Sequence, residues 1–473
     1  FGGTGDDILI SGGDVTANGG DGAAGIGGGG HGNGTNITVT DGKVTAKIEM
    51  LMDYMIPASD KVSMTTGGSN GPARDITFQT AVDGYFRYDS AHTTSGGPND
   101  PTNPGTNPRA TISRGAGNKL SFIEATAGTL KDGDYADKLT VNNLIFDGKS
   151  FGGKDIEHGT IDTNCWNVKI DRCDFNNCQA KYGGGIFIKS VTPKTGTPYG
   201  YLTVTRSNFN NCQSLENTDK YGGGGIWTSM KTLTVEDCTF TSCYCAQQGG
   251  ALFHFVDTTK DTESYTTITD CIFEGCSAGQ AAGSVESGAR EVRITNTNFR
   301  NSTSNVKNGG ALNIWSGNSD NTSGQPTTNC WVYLTGCTFE NCYALNGTGS
   351  NGNGGAMRST ATYNTITDCS FINNIGNNGG AINIFNSKAV DTIISGCSFD
   401  GCSARGQGGA IWCRSKTLTI DSVDHNDGAL PHTTNATSIR NCTAPNEGGG
   451  VYHDNNTTNS SLTVADTTID TCY

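Results

Sequence analysis

From residue 139 onward, apolar side chains return in a fixed order. Pairs of aliphatics two residues apart, as in Leu202/Val204, Leu233/Val235, Val292/Ile294, Val332/Leu334 and Leu462/Val464, alternate with Thr and charged residues. A period of two marks a strand with one buried face. Seven residues beyond the first aliphatic lies a slot held by Phe175, Phe209, Phe240, Phe273, Phe299, Phe339, Phe371 and Phe399. Phe146 precedes the series, and Ile439 and Ile469 fill the slot after it. Two residues before the Phe comes Cys173, Cys238, Cys271, Cys337, Cys369 or Cys397, replaced elsewhere by Leu144, Ser207 and Thr297. The aliphatic pair and the Cys/Phe pair differ in parity, so the chain bends between them. Asp237, Asp270, Asn296, Asp368 and Asp466 stand at that bend, where short polar side chains suit turns. A second bend follows at Asn177, Asn211, Asn301, Asn341, Asn373 and Asn441, a residue type that tolerates left-handed backbone. Next come Cys178, Cys212, Cys243, Cys276, Cys342, Cys402, Cys442 and Cys472. A glycine pair then leads a last strand headed by Ile186, Ile226, Leu252, Val285, Leu312, Met357, Ile382, Ile411 or Val451.

The Phe slots are 26 residues apart at the closest (Phe273 to Phe299) and 40 at the widest (Phe299 to Phe339), about 32 on average. Such a period predicts a solenoid whose repeats bury apolar faces only against their neighbours. Several short strands per repeat, separated by tight bends, predict an all-β, right-handed, single-stranded parallel β-helix. No segment carries the stripe of an amphipathic helix.

These columns resemble those of the chlamydial polymorphic outer-membrane proteins, surface β-helices carried by autotransporters and marked by G-G-A-I and F-x-x-N tetrapeptides. Gly379-Gly380-Ala381-Ile382 and Gly408-Gly409-Ala410-Ile411 match the first, and Phe371 to Asn374 the second; most coils here carry Cys in place of that Asn. The resemblance covers 139–473 and implies a bacterial cell-surface or secreted protein.

The rest of the chain reads differently. Residues 1–47 form a Gly-rich segment resembling glycine-rich repeats of large bacterial surface proteins, with strand-like stretches at 7–10, 36–40 and 43–48, and provide the first β-helix turns. Within it Gly2 to Ile10 fits one copy of a calcium nonapeptide, a motif that binds only in tandem copies. Residues 48–138 are irregular lead-in coils with strands at 61–66, 75–80, 110–113 and 119–125, and a polar loop near 96–108. Longer insertions at 191–199, 257–265 and 316–329 follow the glycine-led strands, a place open to binding or to tolerated length variation. The start at Phe1 without Met and the stop at Tyr473 suggest the ordered part of a longer polypeptide.

Charge and cysteines narrow the function. A net charge of −14 argues against nucleic acid or an anionic bilayer as partner, and no apolar run spans a membrane. Of the 18 cysteines, 14 lie in the two columns named above, where Leu, Ser and Thr substitute for them. That interchange favours buried, reduced thiols acting as small core fillers, with cross-coil disulfides the alternative. The same columns, lacking His, argue against metal.

Catalytic motifs are absent. Asn217-Thr218-Asp219 and Gly30-His31-Gly32 match pieces of a polygalacturonase signature, but in reversed order and without its other parts. His254 and His453 have the inward parity of their strands. The most suggestive feature is a set of aromatics opposite the glycine-led aliphatics: Phe187, Trp227, Phe253, Phe255, Trp315, Phe385, Trp412 and Tyr452. Such a strip would bind sugar rings or a protein partner, pack against a like subunit, or be covered by local loops. The reading is therefore a non-enzymatic, cofactor-free extracellular stalk or adhesin for a glycan or a host or neighbour-cell protein. The alternatives are a self-assembling extracellular fibre subunit and a polysaccharide-degrading β-helix enzyme.

Overall fold

The computed structural model describes side chains at Leu9 and over 139–146, 148, 158–163, 165, 167–189, 200–216, 222–256, 263–315, 329–345, 352–385, 390–422, 435–454 and 460–473. Elsewhere it describes only the backbone of further strands. The loop at 96–108, the insertion at 191–199 and most of those at 257–265 and 316–329 lie outside the described residues. So do both polygalacturonase-like tripeptides and, apart from Leu9 and the backbone at 5–6 and 9–10, the nonapeptide.

Backbone contacts divide the chain into two compact units, 1–210 with 228–230 and 211–227 with 231–473. The first opens with strands Leu9–Asn18 and Thr38–Lys47, paired in parallel. Its lead-in region departs from a pure β-helix. Arg109–Arg114 pairs antiparallel with Leu120–Ala125, and Tyr54–Pro57, a strand the alternation did not predict, pairs antiparallel with Lys61–Ser63. Regular coils then begin. Lys138–Asn142, Asn167–Asp171 and Tyr201–Thr205 lie parallel and in register, aligning Leu139, Val168 and Leu202. Phe146, Phe175 and Phe209 stack behind them at 5.0 and 4.6 Å.

The second unit repeats one plan. The coil of Thr232–Glu236 continues through Thr239–Thr241, Tyr244–Cys245 and Leu252–His254, and each strand pairs in parallel with its counterpart one coil later. Parallel strands in stacked sheets make this a parallel β-helix. Phe240, Phe273, Phe299, Phe339, Phe371 and Phe399 form one ladder at 4.7–5.0 Å with nearly parallel rings. All are buried.

The bends explain the rest of the consensus. Asp237, Asp270, Asn296, Asp368 and Asp466 are left-handed, as are Asn211, Asn301, Asn341, Asn373 and Asn441 one bend later. The first glycine of each pair sits at a third left-handed position, Gly309 at φ 69°. The second is required by the stack itself: a Cβ on Gly310 would stand 1.9 Å from the carbonyl oxygen of Gly355.

The cysteine columns do more than fill space. All 18 are thiols, buried except for half-buried Cys472. Cys276, Cys342 and Cys402 each donate to the Phe-slot carbonyl of the preceding coil at 3.5 Å, to Phe240, Phe299 and Phe371. Asn374, the F-x-x-N asparagine, makes the same bond to Phe339 at 3.0 Å. In the other column Cys337 and Cys397 reach the Ile294 and Ile366 carbonyls at 3.4 Å. Burial pushes the Cys173 and Cys342 thiols up to about 12, so they remain protonated donors.

Three outcomes follow. Gly310→Ala should lower stability by about 3 kcal/mol, with the loss of amide protection centred on its own and the adjoining coils. Gly275→Asn, at a left-handed site whose Cβ meets nothing nearer than 3.7 Å, should cost under about 1 kcal/mol, since Asn fills this column elsewhere. Titration with a thiol-reactive disulfide reagent should label at most Cys472 in the native protein and all 18 cysteines after denaturation; fewer in the denatured chain would reveal disulfides.

Candidate functional site

The aromatic strip lies along the glycine-led strands and is largely buried, as the alternative of cover by local structure has it. Phe187, Trp227, Phe253 and Trp412 expose only 2, 2, 1 and 4% of their surface, and Phe255, Trp315, Phe385 and Tyr452 are half-buried. Local structure provides the cover. Trp412 Nε1 donates to Gln407 Oε1 at 3.3 Å, on the turn before its own glycine pair. The Phe253 ring occupies the space a Cβ on Gly222 would need, and Trp315 lies against Gly288. In the first unit His158 stacks on Phe187 at 4.1 Å.

Register also shows that the strip is interrupted. Phe253 is followed coil by coil by Glu286, Asn313, Arg358 and Asn383 before Trp412 and Tyr452. Glu286 is buried, and its Oε1 accepts a hydrogen bond from Asn313 Nδ2 at 2.8 Å. Burial pushes its carboxyl up to about 8, only partly offset by Asn313 and the positive charges of Arg358 and Lys307. It is mostly protonated at neutral pH. Arg414 lies over both Phe385 and Trp412, at 4.8 and 5.1 Å. This strip is packed structure that includes one buried acid.

An open cleft lies elsewhere in the second unit, on the outward face of the long alternating strands. Tyr265, Glu291, Trp331 and Tyr363 occupy one register column on successive coils. Glu263, Ser264, Tyr265, Arg290, Glu291 and Trp331 line a space of about 250 Å³. Tyr265 is 38% exposed. Trp331 is half-buried, with Tyr363 stacked at 5.8 Å and the Arg290 guanidinium 5.5 Å from its ring centre. Arg290 Nε donates to the Asn329 carbonyl at 2.9 Å, while the buried Ser264 hydroxyl accepts from the Arg290 backbone N–H at 2.9 Å. Arg293 pairs with Glu291 at 2.6 Å and covers the Tyr333 ring at 4.0 Å. Lys231 pairs with Glu263 at 3.0 Å and, by that hydrogen bond first, holds its carboxyl below the ordinary range. The cleft thus offers aromatic surface, two carboxylates held by cations and a guanidinium donor.

Tyr265, Trp331, Tyr333 and Tyr363 were legible in principle. They take outward positions that other coils fill with Thr, at the same parity as Thr232 and Thr234. One cleft segment, 263–265, is the end of the predicted insertion 257–265, and Trp331 lies two residues beyond the insertion 316–329. The two histidines of inward parity behave as structural groups: His254 is buried and bonds Thr266 at 2.7 Å, and His453 bonds the Ser415 carbonyl at 2.9 Å. Among the described residues no three His, Cys, Asp or Glu side chains are placed to hold a metal ion.

Glu286 gives the fold a pH dependence with a defined sign. Its folded pKa lies above the unfolded value near 4.3, so its contribution is complete at low pH and is lost as pH rises from there through about 8. Glu286→Gln should flatten that part of the stability profile and exceed the parent at pH 9 by on the order of a few kcal/mol. Parallel denaturation profiles for the two proteins at pH 4, 6 and 9 would contradict this.

No protein-family model matches the chain, and comparison with curated proteins and with solved structures likewise returns no match.

Proposed function

We propose that this protein is a non-catalytic, saccharide-binding β-helix of a cell surface or secreted assembly, presenting its ligand site on a stiff repetitive scaffold. The observation that carries this reading is the cleft between Tyr265 and Trp331, where ring surface and paired polar groups converge. Aromatic faces suit the apolar faces of sugars, and carboxylates and guanidinium suit their hydroxyls. The G-G-A-I and F-x-x-N resemblance and the acidic composition favour a surface location over an intracellular one.

Binding is favoured over cleavage by the cations that hold the two carboxylates. Glycoside hydrolysis needs an acid whose pKa is raised beside a second, ionised carboxylate. Glu263 is instead shifted downward by Lys231, and Glu291 is engaged by Arg293.

Depletion of the protein onto a panel of insoluble neutral and acidic polysaccharides, with parallel assay of reducing and unsaturated ends, tests this directly. Retention without product release is the expected result. Tyr265→Ala and Trp331→Ala should each weaken retention about tenfold, ~1.4 kcal/mol. Trp412→Ala should instead cost about 3–5 kcal/mol of stability and leave binding by the folded protein intact. Release of sugar ends would replace the binding reading with an enzymatic one, and absence of retention on every polymer would remove it.

A further inference from the structure

We infer that Glu286 and Asn313 share one proton in an acid–amide latch between consecutive coils, a contact that tightens in acid and loosens toward neutral pH. Val285–Ser287 and Leu312–Ile314 pair in parallel, and their register sets Glu286 directly against Asn313. Both side chains are buried, exposing 2 and 5% of their surface. Asn313 Nδ2 donates to Glu286 Oε1 at 2.8 Å, the one hydrogen bond either side chain makes among the described residues. The other half of each group, Glu286 Oε2 and Asn313 Oδ1, is buried and meets no donor among those residues. Two acceptors are thus left over on two bonded planar groups. An ionised Glu286 would leave both unsatisfied and strand a charge in the interior. A carboxylic acid carries one O–H donor. A proton on Oε2, donated to Asn313 Oδ1, completes both groups with a second bond beside the first.

The surrounding charges do not replace that proton. One coil before Glu286 the register position is Phe253, and His254 beside it bonds Thr266. One coil beyond Asn313 stands Arg358, two coils from Glu286, with its guanidinium 5.4 Å from the Phe385 ring centre. Lys307 lies on the turn before Gly309. Burial raises the Glu286 carboxyl more than Asn313, Arg358 and Lys307 together lower it, which leaves it at about 8. The closed pair therefore holds its proton more tightly than an opened one, whose carboxyl returns to about 4.3. The latch is complete below that lower value, weakens by about tenfold per pH unit above it, and is lost through about 8. Loosening stays near these coils, because each coil of a solenoid packs only on its neighbours. The backbone bond beside the pair runs from the Trp315 N–H to the Ser287 carbonyl at 3.1 Å, so the Trp315 amide reports on the junction.

The test is residue-resolved amide exchange on the whole protein at pH 5 and pH 8, corrected for the intrinsic exchange rate at each. Protection of the Trp315 amide should fall by about tenfold or more between those values in the parent. Glu286→Gln puts in place of the acid an amide that makes both bonds without a proton, so its Trp315 protection should change by less than about threefold. The Ile411 amide, three coils beyond Leu312 and bonded to the Gly450 carbonyl, should change by less than about threefold in both proteins. Asn313→Leu removes the amide partner and should lack about tenfold or more of the parent's Trp315 protection already at pH 5. Circular dichroism checks that each variant is folded, and if Asn313→Leu is not, the comparison of parent with Glu286→Gln decides alone. Equal falls in the parent and in Glu286→Gln overturn the inference. So does a folded Asn313→Leu protein that keeps the parent's protection at pH 5.

Discussion

Everything in this protein depends on hydrogen bonding between coils that continues around the bends instead of stopping at strand ends. The N–H groups of Asp237, Ser242 and Gly250 reach the carbonyls of Thr269, Glu274 and Ala282 on the next coil at 3.1, 2.8 and 2.9 Å. A bend that keeps such a bond must hold one residue in the left-handed region, which costs most side chains energy and favours Gly, Asn and Asp. Once the bends are fixed, register is fixed, and each strand side chain stands on its counterpart in the coil before. That is why the phenylalanines stack within 5.0 Å and why glycine must meet a carbonyl at Gly310. It is also why cysteine recurs: a small, weakly polar side chain fills the bend and still donates to a carbonyl one coil away.

The same register builds the candidate site. Tyr265, Glu291, Trp331 and Tyr363 are far apart in sequence, and only in-register stacking brings them into one column. A rigid backbone carries the rings, so little ordering is left to offset on binding. The strip on the glycine-led strands obeys the same geometry with another outcome. There the turns before the glycine pairs fold over the aromatics, and the column supports the fold while holding one protonated carboxyl at Glu286.

Much of the architecture was legible because ladder positions leave a period in the sequence. The Phe slot, the left-handed Asp and Asn bends and the glycine pairs all sit where alternation and parity place them. For Phe187, Trp227, Phe253 and Trp412 the sequence left burial under local loops as one alternative among three, because parity tells which side of a strand a residue leaves from and not what turns back over that side. The antiparallel pairing of 54–57 with 61–63 was not legible, because no repeat constrains the partner there. The cleft was overlooked for a related reason: Tyr265 and Trp331 stand in a column whose residue type changes from coil to coil, Thr232, Tyr265, Glu291, Trp331, Tyr363 and Asp391 in turn, so no period marks it.

The central claim, a stack bonded in register through its bends, is tested most directly by residue-resolved amide hydrogen exchange on the native protein. The account predicts that bend amides such as Asp237, Ser242, Asp270 and Asn341 are protected as strongly as those of the neighbouring strands, with protection recurring once per coil through the second unit. Bend amides that exchange at loop rates while the strands remain protected would contradict it.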